Sequence, residues 1–204
     1  MNIKILKAAV AGLILSVSGF ANAGLITSVQ ATNGLAPESY QISTLLEDVT
    51  SFVDRTYTYV SIPSLLLGAD FVQVANDDKN AKSTFFIDVT LSEASYFYLF
   101  IDNRVFKDQV KFNEKMSWVA DNQFTDTNID IFINEGKNNQ GNNINRAASI
   151  YTKYAAAGIT TTYKQQVGGG TNMYGIAAIA VPEPTTLAIF ALGIFGLAVR
   201  RIKK

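Results

Sequence analysis

The sequence predicts an all-β fold, an antiparallel β-sandwich of jelly-roll type, for residues 24–181. Apolar and polar side chains alternate along several short segments, as they do in half-buried strands. Loops rich in Asn, Asp and Gly separate these segments, and no long stretch has the 3.6-residue period of a helix. The chain has 204 residues, 48% of them hydrophobic, and no cysteine. We therefore expect one domain whose core is stable without disulfides.

The first 23 residues have the pattern of a signal peptide. Lys4 and Lys7 precede an apolar run from Ala8 to Phe20, and Ala21-Asn22-Ala23 supplies the small residues that signal peptidase accepts. The apolar run is shorter than the ~20 residues of a membrane span, which argues against the alternative of an uncleaved anchor. We expect export by the Sec machinery and cleavage after Ala23.

Eight segments of the body are predicted to be strands. Phe85, Ile87 and Val89 alternate with polar residues, and Ile129, Ile131 and Ile133 do the same. The segment 95–101 is rich in aromatic residues and is typical of a central strand that is covered on both faces. The predicted strands are 57–62, 71–75, 83–91, 95–101, 129–133, 150–155, 159–165 and 173–181.

Three segments are predicted to be loops, and one to be a short helix. The loops are residues 76–80, 136–143 and 168–170, which are rich in Asn, Asp and Gly. Residues 41–49 are the only stretch of the body for which we predict a helix.

The composition excludes several kinds of site. Because the chain has no histidine and no cysteine, a Ser-His-Asp triad, a thiol nucleophile and a zinc site built from these ligands are excluded. Residues 24–181 contain 11 Lys and Arg against 16 Asp and Glu, so the body is acidic. An acidic body does not attract phosphate backbones, and we expect no nucleic-acid partner.

The C-terminus combines a rigid tripeptide, an apolar run and a basic end. Pro182-Glu183-Pro184 is held extended by its two prolines and displays one carboxylate. Residues 185–199 would form a helix of about 22 Å, short of the ~30 Å hydrocarbon core of a bilayer. Arg200 and Arg201 begin a basic end that places the C-terminus in the cytoplasm. This pattern predicts a transmembrane helix suited to temporary anchoring; an ordinary tail anchor is the alternative.

This C-terminal pattern resembles the PEP-CTERM sorting signal of exported proteins in Gram-negative bacteria that carry an exosortase. The resemblance covers about the last two dozen residues, 182–204. It implies that an exosortase cleaves at or beside Pro182-Glu183-Pro184 while the body lies in the periplasm. The protein would be anchored in the inner membrane transiently and then reach the cell surface or extracellular matrix.

The body contains a series of short motifs rich in turn residues. They are Asp54-Arg55-x-Tyr57, Ile62-Pro63-x-x-Leu66-x-Gly68-Ala69, Ala75-Asn76-Asp77-Asp78-Lys79, Ile101-Asp102-Asn103-Arg104, Phe124-Thr125-Asp126-Thr127 and Asn172-Met173-Tyr174-Gly175. In their order, these motifs resemble galactose-binding-like β-sandwich modules. Such modules accompany polysaccharide-degrading enzymes and also occur in PEP-CTERM proteins, so the resemblance implies a jelly roll that binds sugars or has no assigned activity.

One loop offers oxygen ligands of the kind that calcium uses. Asn76, Asp77, Asp78 and Asn80 follow one another closely and carry carboxylate or amide oxygens. Two interpretations stand, a calcium site and a solvated Asx turn, and the absence of a fixed ligand spacing favours the turn.

Four further residues are candidates for sugar binding. Asp102 and Arg104 flank one residue and could form an ion pair, which is either structural or a donor and acceptor for sugar hydroxyls. Trp118 and Tyr174 are either sugar-stacking rings or part of the core, and Met116 and Val119 beside Trp118 favour burial.

We expect no enzyme, because no local pattern marks a nucleophile or a phosphate-binding loop. The sequence predicts an exported, exosortase-sorted protein of the cell surface or biofilm matrix that binds or organises exopolysaccharide, without an obligatory cofactor. Two alternatives stay open. One is a small glycan-active enzyme that uses two of the carboxylates, and the other is a structural envelope protein without a ligand.

Overall fold

A computed structural model describes residues 24–35, 39–107, 110, 112–113, 116–164 and 170–181. Ten strands occur in this part of the chain, together with two 3₁₀ helices, at Asn76–Asn80 and Asn103–Lys107, and a short helix α1 at Ser117–Asp121. The strands are β1 Ile26–Thr32, β2 Gln41–Thr44, β3 Thr58–Val60, β4 Asp70–Gln73, β5 Phe86–Leu91, β6 Ser95–Asp102, β7 Thr125–Lys137, β8 Asn143–Ala155, β9 Gly158–Tyr163 and β10 Gly175–Ala180.

The strands form two antiparallel sheets. The smaller sheet has the order β1-β5-β9, and the larger has the order β2-β4-β10-β6-β8-β7-β3. Residues Gly24–Ala180 form one compact unit. The prediction of an all-β antiparallel sandwich is therefore confirmed.

The core is formed by apolar residues from both sheets. In β5, Ile87, Val89 and Leu91 are buried while the residues between them are half-buried, as their alternation predicts. Every residue of β6 except Tyr96 is buried, because β6 lies between β10 and β8 in the middle of the larger sheet. This is the central strand that the aromatic segment 95–101 predicts.

The prediction of a helix at residues 41–49 is wrong. Residues Gln41–Thr44 form strand β2, which pairs with β4 at the edge of the larger sheet. Residues 45–49 follow as a turn in which Asp48 has a positive φ of 61°. Edge pairing with β4 satisfies the backbone of this segment better than an isolated turn of helix, which is unfavourable at this length.

Strand β1 and helix α1 have no counterpart in the predictions. Strand β1 pairs with β5 from Ile26↔Leu91 to Thr32↔Phe86. The predicted loop 76–80 is a 3₁₀ helix, and most of the predicted loop 136–143 is the connection of the β7–β8 hairpin.

None of the helices in the described segments is long and apolar enough to cross a membrane. The predicted signal peptide, with Ala21 and Ala23, lies outside the described residues. The same is true of Pro182-Glu183-Pro184 and of Arg200 and Arg201 in the predicted transmembrane segment and its basic end, and of most of the predicted loop 168–170.

Candidate functional site

Asp102 and Arg104 form an ion pair at the end of β6. The Arg104 guanidinium donates to both oxygens of the Asp102 carboxylate, from Nε at 2.9 and 3.1 Å and from Nη2 at 2.5 Å. Arg104 lies in the 3₁₀ helix that follows β6, so the pair closes a turn rather than lining one face of a strand. Asp102 is buried, with 1% of its surface exposed. Its bond to Arg104 raises the pKa of that guanidinium.

Glu135 on β7 connects this pair to a larger network. Its carboxylate accepts hydrogen bonds from Arg104 Nη2 at 2.7 Å, Arg146 Nε at 2.9 Å and Asn172 Nδ2 at 2.9 Å. The backbone N–H of Asn172 donates to Asp102 at 2.9 Å. Burial raises the pKa of Glu135, but the bonds from Arg146 and Asn172 and the charge of Arg104 outweigh burial and hold it below its usual range. The network therefore joins the ends of β6, β7 and β8 to the segment that precedes β10.

The predicted calcium ligands lie in the 3₁₀ helix Asn76–Asn80, and their oxygens contact different parts of the protein. Asn76 Oδ1 accepts from Met173 N at 2.8 Å, Asp77 pairs with Arg55, and Asp78 accepts from Leu35 N and from the Tyr40 hydroxyl. Asn80 is exposed. These hydrogen bonds and the ion pair hold the segment against neighbouring parts of the chain.

The carboxylate of Asp54 caps the start of this loop. It accepts from Asn76 N at 2.7 Å and from Asp77 N at 2.9 Å. Within the described residues, no three acidic side chains lie close enough together to hold a metal ion. Calcium binding stays a prediction, which addition of EDTA tests.

Trp118 and Tyr174 lie together in an aromatic cluster. Their ring centroids are 5.7 Å apart, and Trp118 also contacts Tyr163 at 5.8 Å and Phe124 at 6.2 Å. Tyr174 is fully buried, and its hydroxyl is hydrogen-bonded to Thr162 Oγ1 at 3.0 Å and to the Tyr163 carbonyl at 2.8 Å. Trp118 is half-buried, and its Nε1 donates to the Lys164 carbonyl at 3.2 Å. Tyr174 therefore packs in the core and has no face free to stack on a sugar.

An aromatic crevice beside α1 was not predicted from the sequence. It has a volume of about 220 Å³, and its described lining is Phe112, Asn113, Met116, Ser117, Val119, Ala120, Asp121, Phe124 and Tyr151. Tyr151 stacks on Phe106 at 6.1 Å with an interplanar angle of 24°, and Phe106 contacts Phe112 at 4.7 Å. These three rings are half-buried, so part of each faces solvent.

Polar groups surround the rings of this crevice. Asn113, Ser117 and Asp121 lie at its rim and are exposed. Burial and the charge of Asp126, which is opposite Tyr151 in the sheet, raise the pKa of Tyr151 to about 12. The Tyr151 hydroxyl therefore stays protonated at neutral pH and can donate a hydrogen bond. A signal for this site was present in the sequence as Phe106, Phe112, Trp118 and Phe124, which recur every six residues.

A second cleft, of about 430 Å³, lies next to Asp78 and is more polar. Both oxygens of Asp78 are used by Leu35 N and the Tyr40 hydroxyl, so the carboxylate shapes the wall of this cleft. Burial and the neighbouring Asp78 raise the pKa of Tyr40, which stays protonated. The described lining of this cleft is Val29, Gln30, Ala31, Asn33, Gly34, Ser39, Tyr40 and Asp78.

Comparison with known proteins identifies the C-terminal signal. Residues 180–203 match the family model of the PEP-CTERM protein-sorting motif, so the resemblance of this segment is confirmed. No curated protein matches the chain in sequence.

Two solved structures resemble the body. A β-glucuronidase from glycoside hydrolase family 2 superposes with a TM-score of 0.51 and 14% identity over 74% of this chain and 14% of that one. A GH138 enzyme that targets pectin rhamnogalacturonan II gives a TM-score of 0.40 and 11% identity over 73% of this chain and 16% of that one. The first likeness agrees with a sandwich fold. This chain spans less than a fifth of the length of either enzyme.

Proposed function

We propose that this chain, an exported protein that an exosortase processes at its PEP-CTERM motif, uses its β-sandwich to bind neutral extracellular polysaccharide. The observation that carries the proposal is the aromatic crevice, in which the half-buried rings of Phe112 and Tyr151 lie beside polar groups and are backed by Phe106. Sugars expose apolar C–H faces together with hydroxyl groups, and a site for them needs both kinds of partner.

The size of the crevice supports binding of a single sugar residue of a polymer. Its volume of about 220 Å³ lies below the ~300–1,000 Å³ of sites that enclose drug-sized ligands. Asp121, Asn113 and the protonated Tyr151 hydroxyl supply an acceptor and donors at the rim.

The charge of the domain favours a neutral polymer. The body has 16 acidic and 11 basic residues, and Asp121 and Asp126 lie close to the crevice. The Lys153 ammonium, 4.7 Å from the ring centroid of the lining residue Phe124, offsets part of this negative charge. The net negative charge of the body still disfavours an anionic chain, whereas a neutral chain meets hydrogen-bond acceptors. We propose that the ligand is a neutral exopolysaccharide of the cell surface or biofilm matrix.

We propose a binding role without catalysis. A glycosidase needs one carboxylic acid that stays protonated and a second carboxylate nearby. Asp102 and Glu135 are close to each other, but one guanidinium, that of Arg104, donates to both. The pKa of Glu135 is lowered, which is the wrong direction for a general acid.

We propose the following route of export. Signal peptidase removes residues 1–23 after Sec-dependent transport, and the C-terminal segment holds the body at the periplasmic face of the inner membrane. Exosortase cleavage at Pro182-Glu183-Pro184 then releases the protein to the cell surface or matrix. The order follows from the positions of the two signals at opposite ends of the chain.

A binding assay with the mature protein tests the sugar site. Processed protein from the producing bacterium is sedimented with that bacterium's own exopolysaccharide, with and without EDTA, and the Trp118 fluorescence is recorded. We expect Tyr151→Ala to weaken binding by at least ~10-fold, the equivalent of about 1.4 kcal/mol.

Tyr154→Ala is the matched control, because Tyr154 is an exposed tyrosine of the same strand that lies outside the crevice. It should bind as the wild type does, and both variants are checked for folding by circular dichroism. Equal binding by folded Tyr151→Ala protein, or no binding by the wild type, would refute the proposal. Release of reducing sugar ends from the polymer would favour the enzyme instead.

A further inference from the structure

One end of the sandwich is the place where the chain leaves for the sorting motif. Strand β10 ends at Ala180, which pairs with Ser95 at the start of β6, and Ser95 pairs with Ala155 at the end of β8. In the smaller sheet, the pair Leu91↔Gly158 lies at this same end of the sandwich, because short turns join Leu91 to Ser95 and Ala155 to Gly158. We call this end the exit end.

The exit end exposes apolar side chains. Tyr154 is 63% exposed, Ile159 is 68% exposed and Tyr96 is 42% exposed. Ala156 and Ala157, in the turn between β8 and β9, are exposed as well. We call these five residues the apolar tip. Tyr96 and Tyr154 lie directly opposite each other in the sheet, and Ile179 lies opposite Tyr96 on its other side.

The apolar tip carries no charge, but carboxylates lie near it. Residues 154–163 and 170–182 contain no charged residue. Glu93 is exposed in the β5–β6 turn, and the half-buried Asp70, which pairs with Ala178, accepts a hydrogen bond from Ile26 N at 2.9 Å. The ammonium of Lys153 lies over the ring of Phe124, 4.7 Å from its centroid. The network of Asp102 and Arg104 lies at the other end of β6, about seven residues or 23 Å away along the strand.

The chain between the sandwich and the apolar C-terminal run is short. Six residues, 181–186, separate Ala180 from Leu187, so fully extended the seven steps between these two residues span at most ~25 Å. An uncut protein whose apolar run is in the bilayer therefore keeps the exit end within about 25 Å of the lipid. Such a tether gives the apolar tip a high effective concentration at the membrane surface.

We propose that the apolar tip rests in the interfacial region of the bilayer until the sorting motif is cut, with neutral phospholipid as its partner. Tyrosine has an apolar ring and a polar hydroxyl and is enriched at the membrane–water interface. The acidic body and the uncharged tip favour neutral lipid over anionic lipid. Docking holds Pro182-Glu183-Pro184 at the surface where exosortase acts, and depends on the sorting motif but not on polysaccharide binding.

Cleavage then ends the contact. The apolar tip is small, and even one fatty acyl chain gives only marginal, reversible membrane binding. Once the tether is cut, the effective concentration that kept the tip at the membrane is lost, and the body dissociates.

Because the chain has no cysteine, a single labelling site can be placed at will. Ala156→Cys is labelled with an environment-sensitive fluorophore in the full chain and reconstituted in phosphatidylcholine vesicles. We expect a blue shift and quenching by lipids with a shallow spin label. Gln140→Cys, in the exposed β7–β8 turn, is the matched control, and a label at this position should stay in water.

Three results would overturn the proposal. The Ala156→Cys label could stay accessible to aqueous iodide, or it could shift only in vesicles that contain phosphatidylglycerol. It could also shift only when exosortase is present in the membrane, in which case the enzyme is the partner of the apolar tip. Loss of the fluorescence shift of the Ala156→Cys label in Tyr154→Ser/Ile159→Ser protein, with the fold intact by circular dichroism, would support the proposal. Vesicles contain no polysaccharide, so this test is independent of the sugar site.

Discussion

At the scale of single residues, Gly175 and Tyr59 depend on each other in the core. A Cβ added at Gly175 would lie 2.2 Å from Tyr59 Oη and 2.7 Å from Phe100 Cδ2. The Tyr59 ring packs edge-on against Phe71 and Phe100, with centroids 5.8 and 5.6 Å apart. Within the described residues, the Tyr59 hydroxyl is buried without a hydrogen-bond partner. Burial raises the pKa of Tyr59, so the hydroxyl stays neutral.

We predict that Gly175→Ala lowers the free energy of unfolding by about 1–3 kcal/mol, because the methyl group overpacks this contact. Tyr59→Phe removes an unpaired buried hydroxyl and should leave stability unchanged or raise it. In Gly175→Ala/Tyr59→Phe protein, part of the loss should be recovered, because the closest clashing atom is gone. Urea unfolding of the four proteins measures these differences.

Tyr174→Phe is the control for the tyrosine substitution. Its hydroxyl is also buried but is bonded to Thr162 and to the Tyr163 carbonyl, so its removal should cost about 1 kcal/mol. If Tyr59→Phe destabilises the protein as much as Tyr174→Phe does, the Tyr59 hydroxyl has a partner in solution. If Tyr59→Phe recovers none of the loss caused by Gly175→Ala, the explanation for Gly175 fails.

At the scale of secondary structure, β7 contains an irregularity next to the crevice residue Tyr151. The pairing with β8 shifts between Asp126↔Tyr151 and Asp130↔Ser149, and Asn128 between them has a positive φ of 58°. The Asp126 carboxylate accepts from Asn128 N at 2.8 Å. This shift turns Ile129 outward, to 38% exposure, while Ile131 and Ile133 stay buried.

We predict that Asn128→Val destabilises the protein by about 1–2 kcal/mol, because a β-branched residue is unfavourable at positive φ. Asn128→Gly should be within about 0.5 kcal/mol of the wild type, because glycine adopts this conformation freely. Thermal unfolding gives the comparison.

Asn145→Val provides the control, since Asn145 is an exposed residue of β8 whose φ is not positive, and valine is favourable in a strand. Asn145→Val should not destabilise. Equal losses for Asn128→Val and Asn145→Val would show that the backbone conformation of Asn128 is not the cause.

Local pattern was sufficient to predict the strands of the core. Alternation predicted β5, and an aromatic run predicted β6, because burial there follows from side chains two residues apart. Strand β2 was missed because it is an edge strand of four mostly exposed residues, which gains its structure from pairing with β4.

The candidate site was less predictable than the fold. The Asp102–Arg104 pair was foreseen because its members are two residues apart. Glu135 and Asn172 were not, because only the sheet brings them to Arg104. The crevice combines α1, the residues on either side of it and Tyr151 of β8. The six-residue spacing of aromatic residues marks some of the rings around it, but not their packing against Tyr151.

At the scale of the whole molecule, the sandwich domain has two different ends. The network of Asp102, Arg104, Glu135 and Arg146 lies at one end of β6, and the apolar tip lies at the exit end. The aromatic crevice uses Tyr151, which pairs with Leu99 in the middle of β6. A ligand site on the side of the domain stays accessible whichever end faces the membrane.

The last prediction concerns processing at the sorting motif. The intact mass of protein from the producing bacterium should lack residues 1–23 and the apolar segment after Pro184. In Pro182→Ala/Pro184→Ala protein the segment regains two amide donors and loses the restriction of φ by proline, and we expect this to weaken recognition by the exosortase. We expect the uncut mass to predominate in this variant, with the protein retained in the membrane fraction.

Pro63→Ala, a substitution of the same kind inside the sandwich, should be processed like the wild type. A wild-type mass that still includes the apolar segment would mean that a helix of about 22 Å serves as a permanent anchor despite its short length.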